Sequence, residues 1–341
     1  MREFIVAIVG ASGAVGEELI RILEEQNFPI RKLVPLASKR SVKKEISYKN
    51  QKIAIQETTH DIFKQEGVEI AFFSAGGSVS KEFAPSAAQA GAVVIDNTSY
   101  FRMQENIPLV VPEVNSEDIK LWKDSGIIAN PNCSTIQMVQ VLSPLHKKFN
   151  IKRVDVSTYQ AVSGAGKKGM ESLLKQTKQI LQNEKIEDCG AFPYEIAFNL
   201  IPHIDVFLSD SYTKEEVKMI KESCKIMHSN FEISATCVRV PVLRSHSEAI
   251  SIRFENEVSA KMIREVLSNA ENVEVIDDIQ NVKYPMPIIA TNTDKTYVGR
   301  IRNDYFRKDT IHLFCVADQI RVGAATNAVR IAQKWIEILE S

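Results

Sequence analysis

One cysteine lies in a setting suited to covalent chemistry. The segment Asn130-Pro131-Asn132-Cys133-Ser134-Thr135 separates a strand pattern from an apolar-periodic helix, so Cys133 is expected at or just before a helix N-terminus. The positive end of the helix dipole favours a thiolate, which is the nucleophile in covalent catalysis on carbonyl groups. A lone cysteine is ordinarily a small buried hydrophobe. That alternative remains open for Cys133 and is the expected role of the other four cysteines.

A glycine-rich turn follows the first predicted strand and opens the first helix. It reads Gly10-Ala11-Ser12-Gly13-Ala14-Val15-Gly16, which is one residue longer than the common G-x-G-x-x-G spacing. Glycines at such a turn allow the backbone to approach a pyrophosphate held at the helix N-terminus. The sequence therefore favours dinucleotide binding over a plain strand-to-helix turn.

The end of the second predicted strand indicates which dinucleotide is bound. An NAD-specific fold usually places an acidic residue there for the ribose 2′-hydroxyl. This chain has Ser38-Lys39-Arg40-Ser41 instead. Two hydroxyls and two cations suit a 2′-phosphate, so the pattern favours NADP, with a solvated basic loop as the alternative.

The second half of the chain also contains polar residues with possible catalytic roles. Gln160 lies on the same strand face as Val154 and Val156 and directly precedes Ser163-Gly164-Ala165-Gly166. Its amide needs a partner, which a structural hydrogen bond would satisfy as well as a substrate. None of the six histidines is singled out by local chemistry, so a cysteine–histidine pair is plausible but unassigned.

The elements that must position these groups fall into two regions. Short strands alternate with helices in the first third, which is typical of a parallel α/β sheet. After Asn150, longer strands and two amphipathic helices at 167–182 and 214–228 predict an α+β region. The segment 321–339 is predicted as one helix with an apolar stripe that packs back on the first domain. The boundary is expected near Asn130.

Composition excludes several classes of protein. The 341 residues suggest two domains, and the net charge of -1 provides no basic field for nucleic acid or an anionic membrane. The sequence has no apolar run of the roughly 18 residues that a membrane span needs. Five cysteines without a close pair argue against a disulfide framework and a zinc site. With a strand pattern from the start and no signal peptide expected, a cytoplasmic protein is predicted.

Five motifs together resemble the bacterial aspartate-β-semialdehyde dehydrogenase family over the whole chain. Besides the glycine turn and the cysteine hexapeptide, the matching segments are Asp96-Asn97-Thr98-Ser99 with Arg102, Gln160-Ala161-Val162-Ser163-Gly164-Ala165-Gly166, and Arg239-Val240-Pro241 with His246. The cysteine hexapeptide combined with Gln-x-x-Ser-Gly-x-Gly carries most of the specificity.

The resemblance implies both a fold and a reaction. The fold is a Rossmann-like NADP-binding domain at 1–130, completed by a C-terminal helix at 319–341, and an α+β catalytic and dimerisation domain at 131–318, as in the glyceraldehyde-phosphate dehydrogenase-like superfamily. The reaction is the reversible NADP-dependent conversion of β-aspartyl phosphate to aspartate semialdehyde and phosphate through a cysteine thioester, on the route to lysine, threonine, methionine and diaminopimelate. The small-molecule substrates and a homodimer formed through the second domain are the implied partners.

The resemblance also implies residue roles. Cys133 is the nucleophile, His246 is the acid/base, a role that a pKa near neutrality would suit, and Gln160 orients the substrate. Arg239 holds the α-carboxylate and Glu215 the amino group, although the adjacent Glu216 is an alternative for the latter. The implied phosphate contacts are Arg102, Lys218 and Asn132. The implied NADP contacts are Gly10, Ser12, Gly13, Ala14, Val15, Gly16, Ser38, Arg40, Ser41, Ser163, Gly164 and Gln319.

Three other identities compete with this one. N-acetyl-γ-glutamyl-phosphate reductase shares the chemistry but has a Gly-Cys-Tyr-Pro-Thr-like cysteine context, and glyceraldehyde-phosphate dehydrogenase has Cys-Thr-Thr-Asn. Neither matches Asn132-Cys133-Ser134-Thr135. If the chain were a catalytically silent NADP-binding regulator, we would expect at least one of the catalytic groups to be missing. The joint presence of Cys133, Gln160, Arg239 and His246 argues against it.

Overall fold

The computed structural model describes residues 2–340 and divides them into two compact units. The first unit takes the chain up to Asn132 and resumes at Ala324, and the second unit is Cys133–Gly323. Within residues 2–340, no helix combines the length and the apolar character that a membrane crossing requires.

The first unit is built on a six-stranded parallel sheet in the order β5-β2-β1-β6-β7-β8. Its strands are β1 Phe4–Val9, β2 Ile30–Ala37, β5 Gln56–Glu57, β6 Ile70–Phe73, β7 Val93–Asp96 and β8 Ile127–Ala129. The chain leaves β1 toward β2 and later returns to the other side of β1 with β6. The position between β1 and β6 is therefore the topological switch point at which open α/β sheets bind ligands.

Helices and a hairpin complete this unit. The hairpin pairs β3 Glu45–Tyr48 with β4 Gln51–Ala54, and its strands were not predicted from the sequence. The helices are α1 Ala14–Glu25, α2 Ile62–Glu66, α3 Gly77–Gln89, α4 Pro112–Asn115 and the C-terminal α10 Thr326–Glu340. Side chains of α1 and α10 share one apolar core with the sheet, which confirms that the C-terminal helix packs on the first domain.

The C-terminal segment is not one uninterrupted helix as the sequence predicted. Residues Arg321–Ala325 form a π-helical turn, and α10 begins only at Thr326. The apolar periodicity is continuous across this point, so periodicity could not reveal the wider turn. A π-helical turn carries one extra residue and is frequent at functional sites.

The second unit is built on a six-stranded mixed sheet in the order β10-β9-β11-β14-β13-β12. Its strands are β9 Ile151–Gln160, β10 Glu232–Arg239, β11 His246–Phe254, β12 Val273–Val275, β13 Thr296–Asn303 and β14 Thr310–Ala317. The strands β9 and β10 run parallel, and β11 runs antiparallel to β9. The carboxyl ends of β9 and β10 and the start of β11 therefore meet at one edge of the sheet.

One face of this sheet is buried under helices. The helices of the unit are α5 Cys133–Phe149, α6 Gly166–Leu181, α7 Lys214–Met227, α8 Ala260–Ser268 and α9 Pro287–Ala290. Buried side chains of α5, α7 and α8 form one core with alternate residues of the strands, among them Val156 and Ile250. Strand alternation therefore decides which side chains face α5, the helix that begins with the candidate nucleophile.

Trp335 shows how α10 stabilises the first unit. Its ring lies edge-on to Trp122, with ring centroids 5.6 Å apart, and 6.1 Å from the ring of Phe4. We expect Trp335→Ala to lower the free energy of unfolding of this unit by about 3–5 kcal/mol, because it leaves a cavity in the shared core. Urea unfolding followed by circular dichroism measures the change.

The control is Leu339→Ala on the same helix. Leu339 is 45% exposed, so its truncation should change the free energy of unfolding by no more than about 0.5 kcal/mol. Equal losses in the two variants would contradict the packing described for α10.

Candidate active site

Three of the predicted site residues lie side by side at the edge of the second sheet. Gln160 ends β9, Arg239 ends β10 and His246 begins β11. Arg239 and Gln160 are register partners in the parallel pair, and all three side chains are buried. The two strand ends and the strand start thus place a cation, an amide and an imidazole in one row.

The peptide group of Ala161 holds two members of this row. Its carbonyl accepts a hydrogen bond from Arg239 Nη1 at 2.7 Å, and its N–H donates to His246 Nδ1 at 3.0 Å. Because a backbone N–H can only donate, Nδ1 is unprotonated and the neutral ring carries its proton on Nε2. That Nε2 is buried and has no hydrogen-bond partner among residues 2–340. It is therefore a proton donor available to a bound molecule.

His246 is neutral in the unliganded chain. Burial, followed by the positive charge of Arg239, lowers its pKa well below the ordinary value of 6.5. The unliganded ring therefore does not have the pKa near neutrality that would suit an acid/base. Sequence could not anticipate it, because both the 0% exposure of the ring and its neighbour arise from tertiary contacts.

Cys133 is the first residue of α5, which confirms its predicted place at a helix start. The side chain is half-buried. Its charged form is close enough to Arg239 to act on that guanidinium: burial lowers the pKa of Arg239, while Glu215 and Cys133 oppose that shift. The helix N-terminus and a neighbouring cation both favour a thiolate at this position.

Glu215 joins the row from the start of α7. Its Oε1 accepts from Gln160 Nε2 at 3.2 Å, and its Oε2 accepts from Lys218 Nζ at 3.2 Å. Lys218 also donates to Asp205 at 2.6 Å. Burial alone would lower the pKa of Lys218, but Glu215 and Asp205 outweigh it and raise the pKa. The lysine is accordingly a cation in a buried network.

The structure distinguishes Glu215 from its neighbour Glu216. Glu216 completes a capping box with Thr213 at the start of α7 and accepts from the backbone N–H of Cys237 at 3.1 Å. Its carboxylate caps the start of the helix, whereas that of Glu215 faces Gln160. The two are adjacent in sequence but lie on different sides of the first helical turn.

The loop after β9 closes over the row. A Cβ on Gly164 would lie 2.6 Å from Arg239 Nη1 and 3.3 Å from His246 Nε2, so a side chain here would have to displace the guanidinium group. Gln319 steadies the same loop by donating to Ser163 Oγ and accepting from the N–H of Ser245 at 2.8 Å. Of the predicted cofactor contacts, Ser163, Gly164 and Gln319 therefore lie together in the second unit.

The remaining predicted cofactor contacts lie in the first unit. Gly10 has a φ of +94°, and a Cβ there would lie 2.7 Å from the Ser74 carbonyl oxygen beyond β6. Gly13 is the N-cap of α1 and supplies no side chain to its N–H groups. A turn at the switch point with an uncapped helix start is a cradle that fits a pyrophosphate.

The basic loop lies at the end of β2, as predicted. Residues Lys39–Ser41 form an exposed 3-10 turn, and Ser41 Oγ is 3.4 Å from Ser12 Oγ in the glycine turn. The two predicted cofactor segments are thus adjacent. A hydroxyl pair beside Arg40 suits a phosphorylated ribose.

Two predicted phosphate contacts, Arg102 and Asn132, are buried in the first unit, whereas the third, Lys218, belongs to the second unit. Arg102 donates from Nε to the Asn130 carbonyl at 2.9 Å and from Nη2 to the Asn97 carbonyl at 2.8 Å. These two backbone carbonyls fix the orientation of the guanidinium group. Within residues 2–340, no group of His, Cys, Asp and Glu side chains is arranged to hold a metal ion.

Sequence reasoning missed a second row directly beneath the first. Two residues back along each strand, Cys237, Thr158, Glu248 and Cys315 are register neighbours across the sheet, and all are 0% exposed. No hydrogen bond of standard geometry reaches either Glu248 oxygen from residues 2–340, although the Gln137 amide is close enough to act on the carboxyl group. Burial raises the pKa of Glu248 well above 4.5, with the Gln137 amide opposing it in part. The period of two from His246 to Glu248 is the signal that could have located this carboxyl.

Glu248 generates a prediction about stability and pH. An acid whose pKa is raised by folding stabilises the fold less as pH rises above its unfolded value, because the unfolded chain then ionises while the folded chain does not. We expect Glu248→Gln to raise the melting temperature relative to wild type at pH 7, with the difference shrinking to nothing below about pH 4. Thermal melts across that pH range measure it.

The exposed Glu265 on α8 provides the control. The difference in melting temperature between Glu265→Gln and wild type should be the same at every pH in that range. A Glu248→Gln difference that is equally independent of pH would contradict the raised pKa.

Comparison with known proteins agrees with this architecture. Residues 5–122 match the family model described as semialdehyde dehydrogenase, NAD binding domain, and residues 142–322 match semialdehyde dehydrogenase, dimerisation domain. The aspartate-semialdehyde dehydrogenase of Campylobacter jejuni is 60% identical over 334 residues, covering 98% of this chain and 97% of the relative. That of Aquifex aeolicus is 54% identical, covering 97% and 98%.

Solved structures show the same similarity in three dimensions. Aspartate semialdehyde dehydrogenase II of Vibrio cholerae, solved in complex with ASA, superposes with a TM-score of 0.95 at 43% identity, covering 99% of both chains. The enzyme of Candida albicans, solved with NADP, superposes with a TM-score of 0.75 at 26% identity, covering 98% of this chain and 99% of its own. The chain belongs to the aspartate-semialdehyde dehydrogenase family.

Proposed function

We propose that this chain catalyses the reversible NADP-dependent conversion of β-aspartyl phosphate to aspartate semialdehyde and phosphate. The observation that carries the proposal is the buried row of Arg239, Gln160 and His246, in a unit whose helix α5 starts with a half-buried cysteine. Together these residues supply a nucleophile, a proton donor and an anion-binding cation.

The covalent step uses the Cys133 sulfur. In the biosynthetic direction the thiolate attacks the carbonyl carbon of the acyl phosphate, the carbon–oxygen bond to phosphate breaks, and phosphate leaves with the bonding electrons. The product is a thioester on Cys133. NADPH, when bound, supplies the hydride that reduces this carbonyl. The resulting thiohemiacetal collapses to the aldehyde, and the sulfur leaves as thiolate.

His246 acts on the oxygen of the reacting carbonyl. Its Nε2–H donates to the negative charge that develops there in each tetrahedral state, while the Ala161 N–H keeps Nδ1 occupied. A substrate carboxylate on Arg239 offsets the guanidinium charge that contributes to lowering the pKa of His246. Substrate binding therefore raises that pKa toward the range of a general acid.

The charged groups around the row match the substrate. Arg239 uses Nη1 for Ala161 and has further N–H groups for the α-carboxylate. Glu215, already paired with Lys218, is the carboxylate that accepts the α-ammonium group. Gln160 donates to Glu215 and thereby links substrate orientation to the sheet edge.

We assign phosphate and cofactor binding to the residues predicted for them. Arg102, Asn132 and Lys218 are the phosphate contacts. Arg102 and Asn132 are buried, and Arg102 donates to a backbone carbonyl, whereas the partly exposed Lys218 pairs with Asp205. NADP contacts in the first unit come from the glycine turn and from Ser38, Arg40 and Ser41. In the second unit they come from Ser163, Gly164 and Gln319. The units thus correspond to an NADP-binding domain and a catalytic and dimerisation domain, and a cytoplasmic location remains a prediction.

The activity test compares three variants. Cys133→Ala should reduce phosphate-dependent NADPH formation from aspartate semialdehyde to background, because no thioester forms. Arg239→Lys should raise KM about 10- to 100-fold through loss of charged hydrogen bonds to the carboxylate. Cys189→Ala, a change at another half-buried cysteine, should leave kcat and KM unchanged.

Alternative substrates decide between the competing identities. If wild type reduces NADP with N-acetylglutamate semialdehyde and not with aspartate semialdehyde, the chain is a reductase of the N-acetyl-γ-glutamyl-phosphate class. If NADP binds and neither aldehyde reacts, the chain is a silent regulator.

Homodimer formation is proposed through the face of the second sheet opposite the helices. Alternate strand residues, including Ser157, Thr236, Ala249 and His312, line an open groove on that face. Tyr159 on the same face is 39% exposed. A sheet face with exposed aromatic and small residues is suited to burial against a second copy.

The dimer proposal is tested by Ala249→Arg. Burying an unpaired charge between the copies should raise the dimer dissociation constant at least about 100-fold, measured by light scattering, and should lower activity on dissociation. Ala54→Arg on the exposed strand β4 of the first unit is the matched control and should leave the dimer intact. A fully active monomer would contradict the proposed dependence.

A further inference from the structure

Gly323 lies directly against the nucleophile. A Cβ at this position would lie 2.6 Å from Cys133 Cβ, 3.0 Å from Cys133 Cα and 3.3 Å from the Cys133 carbonyl oxygen. These atoms are the base of the side chain and the backbone, so no flexible side-chain end can move aside. The φ angle of Gly323 is outside the left-handed region, and backbone conformation therefore does not require glycine. Space beside Cys133 is what requires it.

The turn that carries Gly323 is held by its own residues. The Asp318 carboxylate accepts from the N–H of Ile320 at 3.0 Å and of Arg321 at 3.3 Å. The N–H of Gly323 donates to the Asp318 carbonyl at 3.2 Å, five residues back, which is the π-helical pattern. The extra residue of this wider turn places Gly323 where its backbone contacts Cys133.

Neighbouring segments of the second unit fix the turn on two further sides. Arg321 makes two parallel hydrogen bonds to Asp294, each 2.9 Å long, and is itself buried. Arg244 Nε donates to the Asp318 carboxylate at 2.7 Å. Bidentate and charge-assisted pairs of this kind hold their geometry tightly. The turn therefore cannot move away from a side chain added at position 323.

Helix α5 cannot move away either. The three residues after Cys133, Ser134, Thr135 and Ile136, are all 0% exposed. Close-packed interiors accommodate an added methyl group only by displacing atoms. With the turn and the helix from Ser134 onward both held by packing, the atoms that give way are those of Cys133, the terminal residue of the helix.

We propose that Gly323 is a positioning residue for the reaction, setting the place of the Cys133 sulfur by bringing a bare backbone turn against its Cα and Cβ. This inference rests on the proposed function, since it deepens the role of the same nucleophile. Attack on a carbonyl requires the reacting atoms about 3–3.5 Å apart and aligned, and a misplacement of about 1 Å can cost 100-fold in rate. Arg239 lies at the end of β10, so we expect its binding of the substrate carboxylate to change little when the sulfur shifts.

The test is Gly323→Ala. We expect kcat to fall about 100-fold while KM for aspartate semialdehyde changes less than about threefold, because chemistry and not binding is disturbed. A second readout needs neither substrate nor cofactor. Alkylation of Cys133 by iodoacetamide, followed by peptide mass spectrometry with Cys189 as internal reference, should slow about tenfold as the thiol leaves its thiolate-favouring position.

Gly299→Ala is the matched control. A Cβ there would lie 2.1 Å from the Ile276 carbonyl oxygen and 2.5 Å from Pro285 Cδ, which is comparable crowding at β13 in the same unit. This variant should lose thermal stability, yet keep the wild-type kcat per folded molecule and the wild-type rate of Cys133 alkylation. An equal fall in kcat and alkylation in both variants would overturn the proposal.

A further variant covers the case in which Gly323→Ala fails to fold. Asp294→Asn adds no atoms but weakens the bidentate pair to Arg321. It should lower kcat about tenfold at unchanged KM and slow Cys133 alkylation in parallel. The inference is overturned if Gly323→Ala keeps the wild-type kcat and the wild-type rate of Cys133 alkylation. If Gly323→Ala does not fold, the same result in Asp294→Asn overturns it. Wild type inactive on aspartate semialdehyde would refute the proposed function alone, because the alkylation comparison still decides the role of Gly323.

Discussion

The candidate site depends on one peptide group. The carbonyl of Ala161 accepts from Arg239 and its N–H donates to His246, so a single planar unit fixes both a cation and an imidazole. The peptide also determines the tautomer of His246, because a backbone N–H cannot accept a hydrogen bond and Nδ1 must therefore be unprotonated. Any bend in the chain after β9 would alter the direction of both side chains together. Gly164, packed against the same two residues, leaves the loop little other conformation.

Burial gives these groups their chemical character. His246 is neutral because a charged ring would be both desolvated and repelled by Arg239. Glu248, one row further into the sheet, is an acid whose pKa is raised by the same desolvation. Below that row, Val156 and Ile250 begin the apolar core. Along each strand, successive same-face side chains two residues apart thus change from catalytic groups to neutral polar groups and then to apolar groups, which keeps unpaired charge out of the core.

Local patterns predicted much of the fold correctly. The first unit has the predicted parallel sheet, α5 begins at Cys133, and the C-terminal helix packs on the first unit. Hydrophobic period and turn chemistry act over a few residues, so they can be seen in the sequence. The hairpin β3–β4 and the π-helical turn at Arg321–Ala325 were missed. The hairpin strands are short and largely exposed, and the turn does not interrupt the apolar period.

The sequence by itself determined the parallel α/β character of the first unit, the glycine turn and the place of Cys133 at a helix start. Resemblance to a known family added the identities of the other candidate residues. Only the tertiary structure decided that His246 is a neutral Nε2–H donor, that Glu215 faces Gln160 while Glu216 caps a helix, and that Gly323 adjoins Cys133. The deciding contacts join residues 85 and 55 positions apart in the chain. Protonation and packing follow from distance, burial and neighbouring charge in space, and these exist only after the chain has folded.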